Sequence, residues 1–192
     1  LHHAKTFPDL SDEDAVVDTC GTGGDGHHTF NISTTAAFIT AAAGIKVAKH
    51  GNRSASSRCG SADVLQSLGL ELEQAPESAA RQLSETSFCF LFARSYHQSM
   101  KHAAEARQEL KIRTLFNLCG PLSNPAKPNY QLVGVASADL IMPMIESLKL
   151  LGKSRALVVH GADGMDEISL SQDTHGLYLD QNGKIDEWHL SP

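Results

Sequence analysis

Four glycines within six residues mark the segment of the sequence that is best suited to bind a phosphate group. They lie in Gly21-Thr22-Gly23-Gly24-Asp25-Gly26, between a predicted strand and a predicted helix. The amides of such a loop, with the helix N-terminus behind it, can donate to phosphate oxygens. A tight turn with an incidental glycine cluster is the less favoured alternative. Asp25 would repel a bare phosphate, so we expect it to face a ribose hydroxyl, a cation or an amine.

Two common nucleotide-binding loops do not fit this segment. The glycine spacing matches GxGxxG, but Lys46 and Lys49 stand where a dinucleotide site needs an acidic residue for the ribose. A Walker A loop needs Lys and then Ser or Thr after its last glycine, and His27-His28 stand there instead. We therefore expect neither an NAD site nor a P-loop.

A second loop, Lys49-His50-Gly51-Asn52-Arg53, follows the next predicted strand. Lys49 supplies a point charge, Arg53 a possible bidentate fork and Asn52 a directional amide. Ligands bind at the carboxyl ends of strands in open parallel sheets, so this loop should lie on the same edge as the glycine loop. Four serines nearby add short donors, namely Ser54, Ser56, Ser57 and Ser61. A solvated surface loop is the alternative.

Two adjacent carboxylates, Asp166 and Glu167, lie in a third loop that also follows a predicted strand. Magnesium is commonly held by one or two carboxylates together with substrate phosphate oxygens. An exposed Asp-Glu pair more often serves solubility, so the interpretation depends on the other two loops. Together the three loops indicate a polyphosphate ligand, magnesium and a sugar.

Composition limits the remaining function classes. The chain has 192 residues, with Lys+Arg 16 against Asp+Glu 22 and a net charge of −6. This balance argues against nucleic-acid binding and against binding to an anionic membrane. The longest apolar run, 35–43, is far shorter than the roughly 20 residues of a membrane span, and no secretory signal opens the chain. Four cysteines without CxxC spacing indicate reduced thiols in a cytoplasmic protein.

The elements that must position these loops alternate between strand and helix, which predicts one α/β domain with a largely parallel sheet and flanking helices. We predict strands over 15–18, 45–48, 88–92, 131–135 and 156–159, and helices over about 33–43, 76–85, 99–110 and 138–151. Asn31 or Ser33 should cap the first helix, and Ser61 should cap a short helix that ends at Gly69. Residues 120–125 should be loop because they contain two prolines, and Asn182-Gly183 should turn a hairpin.

Seven motifs, in order and spread over nearly the whole chain, resemble those of the anthranilate phosphoribosyltransferase family. They are VDTCGTGGDG at 17–26, TFNIST at 29–34, KHGNR at 49–53, GSADVL at 60–65, RTLFN at 113–117, GPLSNP at 120–125 and GMDE at 164–167. A set of this length is far more specific than any single glycine loop. It is closer to this family than to the related pyrimidine nucleoside phosphorylases.

The resemblance implies a fold and an activity. The fold is the phosphoribosyl-binding domain of the nucleoside phosphorylase and phosphoribosyltransferase type, a single domain over 1–192, shortened at both ends and without the family's helical domain. The activity is transfer of the phosphoribosyl group of phosphoribosyl pyrophosphate to the amine of anthranilate, in tryptophan biosynthesis, with Mg²⁺ as cofactor. Family members are homodimers, and the helical domain forms one wall of the anthranilate site and the dimer interface.

The resemblance also implies site residues at the matching positions. Contacts to phosphoribosyl pyrophosphate would come from Gly21, Gly24, Asp25, Thr29, Asn31, Ile32, Ser33, Thr34, Lys49, His50, Gly51, Asn52, Arg53, Ser54, Ala55, Ser56, Ser57 and Ser61. Contacts to anthranilate would come from Gly21, Asn52 and Arg107. One magnesium ion would bind Ser33 and Glu167, and a second would bind Asp166 and Glu167.

Other functional interpretations remain open at this point. The chain could be a module that binds phosphoribosyl pyrophosphate without turnover. A pyrimidine nucleoside phosphorylase is disfavoured, because an enzyme that binds inorganic phosphate has less use for a paired-acid magnesium site. No residue is assigned as a general base, since an arylamine is uncharged at neutral pH. His50 and His97 lie near the expected pocket, and for each of them a packing or orienting role fits the sequence as well as a catalytic one.

Overall fold

The computed structural model describes residues 5–10, 15–53, 59–100, 109 and 114–192. The strands are β1 (Val16–Gly21), β2 (Lys46–Gly51), β3 (Phe88–Phe92), β4 (Tyr130–Gly134), β5 (Arg155–Gly161), β6 (Thr174–Leu179) and β7 (Ile185–Leu190). The α-helices are α1 (Ile32–Ala42), α2 (Ser61–Ser67), α3 (Pro76–Thr86), α4 (Ala93–Tyr96), α5 (Leu115–Leu122) and α6 (Ile141–Leu150). Short 3-10 helices cover Gln98–Met100 and Ala138–Leu140. Within these residues, no helix has the length and apolar character needed to cross a bilayer.

The strands form one seven-stranded sheet in the order β3-β2-β1-β4-β5-β6-β7. The strands β1 to β5 pair in parallel, and β6 and β7 join the β5 side as an antiparallel hairpin. The predicted largely parallel α/β sheet and the Asn182-Gly183 hairpin are therefore confirmed. The winding reverses at β1, which lies between β2 and β4, and such reversals open a crevice at the carboxyl ends of the strands.

Side-chain alternation divides the core between two faces of the sheet. On the first face, Val16 and Leu91 pack with Leu83 of α3, and Val133 and Val158 pack with α6. On the second face lie three phenylalanines of β3 and Val47 of β2, covered by α1 and α2. All five residues of β3 are buried, because both of its faces are covered.

The strands β1 and β2 separate toward their carboxyl ends. Their backbone pairing is confined to Val16↔Lys46 and Val17↔Val47, whereas β1 pairs with β4 along Val17 to Gly21. Beyond Val47, the His50 N–H donates to the Asp18 carboxylate at 3.3 Å. Side chains therefore complete the contact between these strands near the functional edge.

Three local predictions are wrong, and a fourth cannot be assessed. The second loop does not begin at Lys49, because β2 continues through His50 to Gly51. Residues 120–125 are not all loop, because α5 runs through Pro121 to Leu122; a proline in the last turn disturbs few helical hydrogen bonds and ends the helix one residue later. Ser61 does not cap α2, because Gly60 holds the cap position and its N–H donates to the Asp63 carboxylate at 2.9 Å. Most of the helix predicted over 99–110 lies outside the described residues.

Candidate functional site

Glycines end all four strands from which the site is built, β1, β2, β4 and β5. Gly21 and Gly134 are partners in the sheet, and the loop after β5 (the acidic loop, 162–173) folds directly over both. A Cβ on Gly21 would lie 2.5 Å from Asp166 Oδ2, and a Cβ on Gly134 would overlap the Asp166 backbone carbonyl. The absence of side chains at these strand ends lets the acidic loop lie against the backbone.

The acidic loop is hydrogen-bonded to the glycine loop and to the N-terminus of α1. Asp166 Oδ2 accepts the Gly23 N–H at 2.6 Å, and Glu167 Oε1 accepts the Ser33 N–H at 3.2 Å. Ser33 is in the first turn of α1, where backbone N–H groups have no helical acceptor and favour anions. These two hydrogen bonds join residues that are 143 and 134 positions apart in the sequence, and so bring them to one edge of the sheet.

Lys49 places a cation beneath this edge. Its side chain is only 2% exposed, and its ammonium donates to the Thr19 carbonyl and, at 3.2 Å, to Ser33 Oγ. Burial lowers the pKa of Lys49, while the charges of Asp18 and Glu167 oppose that shift. A cation held in this way can stabilise negative charge that a ligand brings to the Ser33 end of α1.

Both carboxylates of the acidic loop are harder to ionise than an ordinary carboxylate. Burial raises the pKa of Asp166 to about 6, and the nearby charge of Asp25 adds to the shift. Burial raises the pKa of Glu167 to about 7, with a further contribution from Asp166. Closely placed carboxylates that resist ionisation become good ligands when a divalent cation replaces the missing positive charge.

The donor set fits magnesium, which prefers oxygen ligands and retains several waters. Asp166, Glu167 and the hydroxyl of Ser33 provide such oxygens. Over the described ranges, three or more potential His, Cys, Asp or Glu ligand atoms come within 4.8 Å of one another only at Asp173, His175 and His189. The acids at the functional edge are therefore a carboxylate pair beside a hydroxyl, and not a three-carboxylate cage.

The second-loop residues are divided between several surroundings. The guanidinium of Arg53 donates to two residues of α2, to Asp63 at 2.7 Å and to Gln66 at 2.6 Å. It is therefore not turned toward the carboxylates of the acidic loop. Asn52 is exposed; its side-chain oxygen accepts the Arg53 N–H at 2.8 Å, and its carbonyl accepts from Ser61 Oγ at 3.3 Å. Gly51 lies so close to Ser61 that a Cβ would overlap the hydroxyl.

His50 lies on the other face of the sheet from Lys49, because successive residues of a strand alternate. Its Nδ1 lies 3.2 Å from the Gly120 carbonyl of α5, and its ring meets His97 edge-on with centroids 5.1 Å apart. Burial lowers the pKa of His50 to about 4, and His97 adds to the shift. The structure thus places His50 in a neutral packing and orienting position, apart from the Lys49 group.

Several of the remaining predicted residues lie in the glycine loop or shortly after it. Thr29 is exposed, Thr34 is buried in α1, and Ile32 begins α1 with Asn31 at its cap position. Gly24 has φ +79°, a backbone conformation that glycine adopts readily. Ser54, Ala55, Ser56, Ser57 and Arg107 lie outside the described residues, so their predicted contacts remain predictions.

A buried polar group that the site assignment did not include supports this edge from the first face. Asp18 is fully buried, and Asn124 Nδ2 donates to it at 2.9 Å and to the Ala48 carbonyl at 2.8 Å. Asn124 thereby joins β1 to β2 where their backbones separate. A charged residue inside an otherwise apolar strand is the signal that could have identified Asp18, whereas residue type gives no such signal for Asn124.

Comparison with known proteins gives this arrangement a context. Residues 13–192 match the family described as "Glycosyl transferase family, a/b domain". The chain is 54% identical over 192 residues to the anthranilate phosphoribosyltransferase of Idiomarina loihiensis, covering all of this chain and 56% of that protein. The chain spans about half the length of the curated relatives it matches.

Solved structures agree with this match. The anthranilate phosphoribosyltransferase of Thermus thermophilus superposes with a TM-score of 0.88 at 46% identity, covering 98% of this chain and 55% of that one. The Saccharomyces cerevisiae enzyme in complex with PRPP and Mg superposes with a TM-score of 0.87 at 30% identity, covering 100% and 52%. The yeast enzyme has also been solved in complex with 4-fluoroanthranilate.

Proposed function

This chain belongs to the glycosyl transferase family with an a/b domain, and we propose that its protein is an anthranilate phosphoribosyltransferase. The proposed reaction moves the phosphoribosyl group of phosphoribosyl pyrophosphate to the amine of anthranilate, and the product serves tryptophan biosynthesis. We infer that residues 1–192 are one domain that binds phosphoribosyl pyrophosphate. We place the reaction in the cytoplasm, where the four free thiols would stay reduced.

The observation that carries the proposal is the joining of the glycine loop, the acidic loop and the N-terminus of α1 at one sheet edge by Asp166, Glu167 and Lys49 of β2. The carboxylates bind the amides of Gly23 and Ser33, and Lys49 reaches Ser33 from below. Phosphoribosyl pyrophosphate combines phosphates, a ribose and a metal-chelating diphosphate. Amides, a buried cation and paired carboxylates at one edge match these three chemical features.

The reaction replaces a carbon–oxygen bond by a carbon–nitrogen bond. The anthranilate nitrogen attacks the sugar carbon while the bond to pyrophosphate breaks, and the nitrogen then releases one proton. The neutral arylamine needs no strong base, so the protein's contribution is alignment and stabilisation of the departing negative charge. Lys49 and the N-terminal amides of α1 would supply this stabilisation.

We propose that Ser33 and Glu167 hold one magnesium ion, and that Asp166 and Glu167 hold a second. Bound magnesium would neutralise charge on the diphosphate as it leaves. The contacts of Gly23 and Ser33 to the two carboxylates orient them before the metal arrives. Gly21, Asn52 and Arg107 are the proposed contacts to anthranilate.

Isothermal titration with phosphoribosyl pyrophosphate, with and without Mg²⁺, tests the site. We expect Mg²⁺-dependent binding that falls at least ten-fold in the double variant Asp166→Asn with Glu167→Gln. Glu146→Gln with Glu187→Gln is the matched control, since it removes the same number of carboxylates at exposed positions away from the site. Unchanged affinity in the first double variant would contradict the metal assignment.

Addition of anthranilate to the titrated chain separates enzyme from binding module. Release of pyrophosphate together with phosphoribosyl-anthranilate would support transfer by these residues without further segments. Binding without turnover would favour the alternative that this part of the protein binds phosphoribosyl pyrophosphate and that catalysis needs the remaining length found in its relatives. Phosphorolysis of a pyrimidine nucleoside instead would overturn the proposed reaction.

A further inference from the structure

Three histidines lie side by side across the antiparallel end of the sheet. His160 of β5 pairs with His175 of β6, and His175 pairs with His189 of β7. Directly opposed residues of paired strands project from the same face, here the first face. The rings of His175 and His189 have centroids 5.0 Å apart, and both side chains are exposed.

Asp173, the last residue of the acidic loop, completes a cluster with two of these histidines. Its Oδ2 lies 3.4 Å from His189 Nε2, and ligand atoms of Asp173, His175 and His189 all lie within 4.8 Å of one another. The three donors thus converge without any change of backbone.

We propose that Asp173, His175 and His189 bind a divalent first-row transition metal ion, with Zn²⁺ as the best match. Imidazole nitrogens favour zinc, copper and nickel over magnesium, which prefers oxygen ligands. Two imidazoles and one carboxylate are a common ligand set for zinc, and water fills the remaining position. The exposure of the histidines lets the ion reach the site without opening the fold.

The position of this cluster gives it a structural consequence. The Ala162 N–H donates to the Asp173 carbonyl at 2.7 Å, so the two ends of the acidic loop are already joined. A metal ion bound by Asp173 and His189 would connect the joined ends of the acidic loop to β7, the outermost strand. Asp166 and Glu167 lie in the same loop, on the second face, so this site is separate from the proposed magnesium site.

Zinc titration followed by calorimetry tests the proposal. A chain that carries Asp166→Asn and Glu167→Gln should bind one Zn²⁺, and the further changes His175→Asn and His189→Asn should weaken that binding at least ten-fold. His160→Gln is the matched control, because it changes the third histidine of the row, which is outside the cluster. Zinc binding should persist in the Asp166→Asn, Glu167→Gln variant, which removes the other acidic site.

A spectroscopic readout makes the result independent of calorimetry. Trp188 is the single tryptophan of the sequence and is adjacent to His189. Stoichiometric Cu²⁺ should quench its fluorescence, EDTA should restore it, and the histidine double variant should lose the effect. No zinc binding by the wild-type chain, or binding that survives when the histidine double variant also carries Asp166→Asn and Glu167→Gln, would overturn the proposal and leave only the contact between His189 and Asp173.

Discussion

Lys49 is the residue that most closely links the candidate site to the core of the sheet. It is buried, it contacts Thr19 and Ser33, and the carboxylates of Asp18 and Glu167 offset the cost of its burial. Long ammonium side chains are seldom fully buried without a partner. Its placement therefore indicates a role at the site and not a surface contact.

Lys49→Met should both destabilise the chain and weaken ligand binding. The loss of a buried cation leaves Asp18 without its main opposite charge, for which about 3 kcal/mol of unfolding free energy is a typical cost. Urea unfolding at pH 7 measures the loss, and titration with phosphoribosyl pyrophosphate measures affinity. Lys127→Met, at an exposed position, should change neither quantity. A variant of wild-type affinity would remove Lys49 from the proposed site.

His50 should make the stability of the chain dependent on pH. Its pKa is lowered from 6.5 to about 4 in the folded state, so the unfolded chain takes up a proton first as the pH falls. The stability contribution of neutral His50 is fully present above about pH 6.5. It decreases by about 3 kcal/mol as the pH falls to about 4.

His50→Gln isolates this contribution, because glutamine can still donate to the Gly120 carbonyl but does not titrate. The difference in unfolding free energy between wild type and variant should change with pH between 6.5 and 4, and be constant above pH 7. Urea unfolding at several pH values measures it. A difference that stays constant throughout would mean that His50 is protonated equally in both states.

Residue types at strand ends were enough to predict much of the site. Lys49, Asp166 and Glu167 were identified by their chemistry and their position near a strand end, whereas Ser33 was assigned to the site through the family resemblance; the structure brings them together. Asn124 was missed as a site-supporting residue, because its importance depends on Asp18 being buried opposite it. Burial of one polar group beside another is a tertiary property that neither residue type reveals.

At the scale of elements, the close approach of the acidic loop to the strand ends determines the site geometry. Gly134→Ala should displace this loop, because the new Cβ would overlap the Asp166 carbonyl. Overpacking against backbone typically costs 1–3 kcal/mol, so we expect about 2 kcal/mol of destabilisation. Mg²⁺-dependent affinity for phosphoribosyl pyrophosphate should fall with it.

Gly120→Ala provides the matched control for this change. A Cβ at position 120 meets nothing within 4 Å, and the residue lies inside α5, where alanine is favoured over glycine. Its stability should be equal to wild type or slightly higher in the same urea experiment. Equal stability of both variants would show that the acidic loop can move without cost.

The alternation of strands and helices was predictable because each element has its own hydrophobic period. The positions of the strands followed from local patterns in the sequence, but their ends did not: β1, β2 and β5 continue two or three residues beyond the predicted 15–18, 45–48 and 156–159, each to a glycine. The extent of α5 did not follow from such patterns. The first turns of that helix are stable enough to offset the cost of one proline in its last turn. The cap of α2 was shifted by one residue, since Asp63 reaches back to Gly60.

At the scale of the whole molecule, each face of the sheet depends on a helix layer. Leu148→Ala in α6 should cost about 3 kcal/mol, because the side chain is completely buried between β4, β5 and β6. Leu150→Ala, two residues away and 88% exposed, should cost almost nothing. Thermal or urea unfolding of both variants checks the prediction, and equal costs would contradict the described packing of α6.

The pairing of β1 also determines when its contacts in the sheet can be completed during synthesis on the ribosome. Of the described strands, β1 is made first, yet its longer ladder is with β4, which is made more than 100 residues later. Until residues 130–134 emerge, one edge of β1 has no strand partner, and such edges promote association with other chains. The nascent protein therefore passes through a long interval in which β1, an interior strand of the finished sheet, has one unpaired edge.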